Sequence, residues 1–139
     1  MNSMRSFWSV RAAPSLDEFE QLARQAFKAL PKSFRELVGE VTFSVDEFPE
    51  DDVVDELGLE SPFDLLGLFQ GVGMAHAAAT PPTGALPNRI WIFRRPILDY
   101  WAEHDETLEA IVSHVLIHEI GHHFGLSDDD MDAIEAATE

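Results

Sequence analysis

Cysteine is absent from this 139-residue chain. That excludes a disulfide framework, a CxxC redox pair and any thiolate-bound metal, so a metal centre here has to be built from imidazole and carboxylate. Positive charge is scarce: 9 Lys and Arg stand against 26 Asp and Glu, a formal net charge of −17. Such a surface repels nucleic acid and anionic lipid on average and attracts divalent cations, so neither nucleic acid nor membrane is expected as a partner. Long apolar runs are lacking too. The stretch 111–117 is broken by Ser113 and His114 and is too short to span a bilayer, and Met1 to Pro14 lacks the apolar core of a secretory leader. A soluble, cytoplasmic protein is the expectation. Tyrosine occurs once, at Tyr100, which confines phenol chemistry to that position.

What is present suits one globular domain over residues 1–139, with 1–14 read as a loose N-terminal segment. Residues 15–30 carry apolar side chains at spacings of three and four, and Ser15 with Glu18 forms a capping box, so a helix is predicted that Pro31 ends. A short helical piece at 32–38 precedes Gly39. Val41 to Val45 alternates apolar and polar, as a half-buried strand does. Helical turns are predicted at 51–57, a second strand at 65–72, a loop at 73–88 and a third strand at 89–93. Pro96 is read as the first residue of a helix to 103. The longest predicted helix, 106–124, is apolar on nearly every side and belongs in the core, with Gly125 closing it in the left-handed conformation. A final helix runs from Asp128.

The chemistry concentrates in His118-Glu119-Ile120-Gly121-His122. Residues four apart share one helix face, so His118 and His122 can direct two imidazole nitrogens at one ion, and zinc takes such nitrogens at about 2.0–2.1 Å. Glu119, one step round the helix, is placed to take a proton from a water that the ion activates. The pattern HExxH arises by chance in on the order of one chain in a few hundred of this length. Its position inside a buried helix, with a suitable third donor following, raises its weight. Gly125 lets the chain reverse, and Asp128 arrives three residues later, giving HExxHxxGxxD. A carboxylate there would complete a His₂-carboxylate site with one position left open, the mark of a catalytic rather than a structural zinc. Asp128 also has a structural reading, because Ser127 with Asp130 forms another capping box and acids favour a helix N-terminus. Asp129, Asp130 or a distant Glu or His stay open as the third donor. The acids Asp128, Asp130, Asp132 and Glu139 mimic calcium-loop positions, but Ala133 stands where the loop needs glycine, so that reading is rejected.

The stretch HEIGHHFGLSD resembles the small bacterial zincin-like, or minimal, metallopeptidases, and LPKSFRELVGEVTFSVDEFPE, LLGLFQGV and LPNRIWIFRRPIL resemble blocks of the same family in the same order. The likeness spans most of residues 15–132. It implies an α+β, single-domain minimal zincin-like fold, with helices on a small twisted sheet and a buried HExxH helix flooring a cleft. By family role His118, His122 and Asp128 would bind one Zn²⁺ and Glu119 would be the general base. It also implies that an edge strand above the cleft pairs with extended peptide, and 65–72 is the candidate. Met131 is read first as an apolar residue of the last helix and second as a residue beneath the metal.

The leading expectation is therefore a zinc-dependent peptidase acting on a peptide or protein substrate. Two others stand beside it: a non-catalytic zinc-binding or protein-interaction module, and a metal-dependent hydrolase of a non-peptide amide. For the oxyanion, Tyr100 and Arg94 (with Arg95 beside it) are the candidates. His114, four residues before His118, is expected to line the cleft, to bond a ligand carboxylate, or simply to pack. His123 is assigned to packing, and His76 and His104 have no spacing argument.

Overall fold

The alternation that begins at Val41 becomes strand β1 (Val41–Asp46), and the apolar run after Pro87 becomes β3 (Asn88–Phe93) beside it. In the computed structural model, residues 7–71 and 88–138 are described. The strand expected at 65–72 is shorter, β2 (Gly67–Gln70). The loop expected at 73–88 lies outside the described residues apart from Asn88, which opens β3, and so does His76. The sheet order is β1-β3-β2, with β1 parallel and β2 antiparallel to the central β3. Phe43, Ile90 and Phe69 stand in one cross-strand row and are all buried. Two residues along, Val45 and Ile92 align with Gly67.

Helix α1 (Leu16–Lys28) starts at the expected capping box: Ser15 Oγ accepts from Glu18 N at 3.1 Å, and Glu18 Oε1 accepts from Ser15 N at 2.9 Å. It buries Phe19, Ala23 and Ala26, and α2 (Lys32–Val38) adds Phe34 and Val38. Within the segment expected to be loose, residues 7–9 form one helical turn, and the Arg11 guanidinium lies 3.4 Å over the Phe7 ring. After α3 (Asp51–Glu56), Ser61 caps a 3₁₀ turn, Pro62–Asp64, through a second capping box.

Helix α4 (Arg94–Glu103) begins two residues earlier than Pro96 suggests. Proline is still accommodated there, because the amides of a helix's first turn have no acceptor within the helix. Helix α5 (Leu108–His123) is capped by Thr107, whose Oγ1 accepts from Ala110 N at 3.1 Å. Its buried residues, Ile111, Val112, Val115, Leu116, Ile117, Ile120 and Gly121, surround most of its circumference, since α1, β2, α4 and α6 all pack on it. Gly125 has φ 75° as expected. Gly125 N donates to His122 O at 3.1 Å and Leu126 N to Gly121 O at 2.9 Å, the paired bonds of a Schellman motif. The chain thereby reverses into α6 (Asp128–Ala137), capped by Ser127 through the expected box with Asp130. A helix through these residues has no room for a calcium loop. Among the described residues no helix is long and apolar enough to cross a membrane.

Candidate metal centre

The helical spacing of the HExxH residues gives them a shared face on α5. The His118 and His122 rings have centroids 5.9 Å apart and planes inclined at 79°. Two imidazoles on one zinc, each bound at about 2.0–2.1 Å, hold their ring centres roughly 5–6 Å apart, so the spacing of the rings matches such a pair, while His118 Nε2 is turned to Glu135 Oε1 at 3.1 Å. His122 is exposed, one turn nearer the helix end, while His118 is half-buried.

Glu119 is also half-buried, and burial pushes its carboxyl above the ordinary value of 4.5, against the opposing pull of His122. Strand β2 lies directly over it. A Cβ placed on Gly67 would come within 3.6 Å of Glu119 Cγ, 2.6 Å of Val115 Cγ1 and 2.9 Å of the Trp91 carbonyl oxygen. Glycine at position 67 is thus what lets the strand settle onto the HExxH helix. Gly67→Ala must lift β2 away from α5, since the Trp91 carbonyl belongs to the neighbouring strand backbone and cannot rotate aside. The expected cost is about 1–3 kcal/mol, read from the denaturant midpoint; an unchanged midpoint contradicts this packing.

A cavity of about 540 Å³ opens beside these residues, lined by His114, His118, Glu119, Glu135 and Tyr100 among others. Tyr100 therefore does reach the cleft, from α4, with its ring stacked on His104 at 3.7 Å. Arg94 does not line it. Its Nη1 sits 2.9 Å from Glu47 Oε1, and its Nε donates to the Pro14 carbonyl at 2.6 Å, tying the N-terminal segment to the start of α4. Arg95 is placed by its backbone amide on Glu47 O, with its guanidinium 5.7 Å from the Phe48 ring centre. His123 packs edge-on against Phe69 at 4.6 Å, a packing role as expected. Met131 is fully buried, as the apolar reading of the last helix requires.

Asp128 is the first residue of α6 and is exposed. The structure does not gather it with the two histidines. Among the described residues, the group of three donors whose ligand atoms all lie within 4.8 Å of one another is His114, His118 and Glu135. Glu135 Oε1 is 2.5 Å from His114 Nδ1 and 3.1 Å from His118 Nε2. His114 thus bonds a carboxylate other than that of the expected ligand Asp128, and it is exposed rather than packed. Glu135 carries no motif signal. It reaches the site because the Gly125 reversal lays α6 antiparallel on α5, with Met131 against Gly121 and Glu135 one turn on, against His118 and His114. The imidazole and carboxylate donors assembled on α5 and α6 are chemically suited to zinc.

A family profile described as zincin-like metallopeptidase matches residues 38–138. The chain belongs to this family. Among solved structures, a conserved hypothetical protein from Thermo thermophilus aligns at a TM-score of 0.50 and 22% identity, covering 78% of this chain and 92% of that one. At that identity the likeness is one of fold. No curated protein matches the sequence. Helices packed on a small three-stranded mixed sheet are consistent with the zincin-like α+β fold of this family.

Proposed function

We propose that this zincin-like chain is a zinc-dependent peptidase whose ion is held by His118 and His122, with Asp128 as the third donor and Glu119 as the general base. The observation that carries the reading is the half-buried Glu119 between a suitably spaced histidine pair and a large open cleft. A bound ion would supply Lewis acidity, lowering the pKa of water from about 15.7 to about 7 and polarising a carbonyl. Glu119 takes the proton of the attacking water and delivers it to the departing amine nitrogen. Its burial suits this work, because desolvation favours the protonated carboxyl that the proton transfer creates. Tyr100, across the cleft, is the candidate hydrogen-bond donor to the developing oxyanion.

The substrate is an extended peptide. Among the described residues β2 pairs with β3 alone, so its outer edge offers backbone groups to a peptide strand directly above Glu119. The third donor rests on spacing and on the Gly125 reversal. Asp128→Asn is therefore expected to weaken zinc affinity by about tenfold or more, measured by competition with a chromophoric chelator; unchanged affinity assigns the third position to another residue. The whole reading is tested by hydrolysis of an unstructured peptide library before chelation, after it, and after zinc is restored. Activity that disappears and returns supports it. Full zinc content with no hydrolysis of any peptide supports a structural zinc module instead, and cleavage of small amides but not peptides makes the chain a non-peptide amidohydrolase.

A further inference from the structure

We propose that His114, His118 and Glu135 form a second divalent-cation position, one helical turn from the His118–His122 pair and sharing His118 with it. The three side chains come from two helices locked together by the Gly125 reversal and by Met131 seated against Gly121. Their donor atoms already converge, at 2.5 Å from Glu135 Oε1 to His114 Nδ1 and 3.1 Å to His118 Nε2, with every pair within 4.8 Å. Donors on one tetrahedral zinc at 2.0–2.2 Å stand roughly 3.3–3.5 Å apart, so modest side-chain rotation centres an ion among them. All three line the 540 Å³ cavity, which leaves the remaining coordination positions facing solvent. Two imidazoles and one carboxylate accept zinc and also manganese, cobalt, nickel or iron in the divalent state.

Sharing His118 has a consequence for stoichiometry. Its Nε2 faces Glu135, and one nitrogen lone pair serves one ion at a time. The two positions are therefore alternatives along the same helix, and the chain binds one ion, not two. The bland competitor is a carboxylate hydrogen-bonded by two imidazole N–H groups, with no affinity for metal. It differs from the proposal in what remains when His122 is removed.

The test measures zinc stoichiometry and affinity by competition with a chromophoric chelator on the full chain, with the visible spectrum of the cobalt-loaded protein as a second readout. His122→Ala is expected to retain one zinc per chain. Adding Glu135→Gln to it should weaken binding by about tenfold or more and change the cobalt spectrum, and His114→Gln in place of Glu135→Gln should do the same. These positions are exposed or half-buried, so folding should survive, and the melting temperature of each variant checks it. Failure of His122→Ala to bind zinc overturns the proposal, as does an affinity that Glu135→Gln leaves unchanged in that background. Loss of zinc from the Glu135→Gln single variant also overturns it, since Glu135 would then belong to the one centre. None of these readouts uses hydrolysis, so the peptidase reading stands or falls separately.

Discussion

Glu119→Gln should leave the zinc content of the protein unchanged and lower peptide hydrolysis by about 10²–10⁴-fold, the usual contribution of a positioned general base. The substitution keeps the shape of the side chain beneath β2 and removes its capacity to hold a transferred proton. It spares His118 and His122, so chelator competition should find wild-type zinc affinity. Wild-type kcat with intact zinc would mean that another group moves the proton. The same substitution has a second, independent signature in the metal-free chain. Burial raises the folded-state pKa of Glu119 above 4.5, so folding favours the protonated form. Stability is then lost as pH rises through the window above that value, because the folded chain must expose or accommodate a buried charge. Glutamine carries no such charge. Metal-free Glu119→Gln should melt higher than wild type at about pH 7, and the two should converge toward about pH 4, below the raised pKa. A variant that melts lower at neutral pH contradicts the burial of the charge.

Met131→Ala should cost about 2–5 kcal/mol of folding stability, as removal of a large apolar side chain from a packed site does. Met131 is fully buried, and it sits so close to α5 that a Cβ on Gly121 would lie 2.6 Å from its sulfur and 2.9 Å from its Cγ. The thioether thus fills the gap left by the glycine within HExxH, and this contact clamps α6 against α5. A loss of that size is a large share of the roughly 5–15 kcal/mol typical of a domain. The denaturant midpoint should fall with little change in slope. Zinc affinity should fall as well, because α6 carries both Asp128 and Glu135. A loss below about 1 kcal/mol would mean that the helix hairpin is held by other contacts.

Local signals are readable in the sequence wherever the responsible residues are close in the chain. The boxes at Ser15–Glu18 and Ser127–Asp130, the left-handed Gly125 and the alternation from Val41 each appear in the structure at the positions their residues imply. The buried helix is legible because its apolar residues face several directions, and only a core with neighbours all round stabilises that pattern. The box at Ser61–Asp64 escapes a sequence reading because it lies in an acidic stretch with no apolar period to announce a helix. The start of α4 is displaced from Pro96 because proline marks the first turn without fixing which of its positions it takes.

The site is legible in part. Four-residue spacing places His118 and His122 together on any helix. Glu135 stands 17 residues from His118 and meets it through the antiparallel packing of α5 and α6. Such a meeting depends on the loop geometry and on the register that Met131 and Gly121 set. Gly67 presents a similar difficulty. Its lack of a side chain matters because Val115 and the Trp91 carbonyl approach from elsewhere in the chain. Arg94 is a candidate by its place near a strand end, and its bonds to Glu47 and Pro14 hold it away from the cleft.

Elemental analysis of the purified chain beside His118→Ala tests most directly whether this helix grips a metal ion. His118 belongs to both cation positions, so the wild type should carry close to one zinc per chain and the variant essentially none, with the fold of both checked by circular dichroism. Equal metal content in the two proteins, or a folded wild type that takes up no divalent ion when it is supplied, would contradict the account.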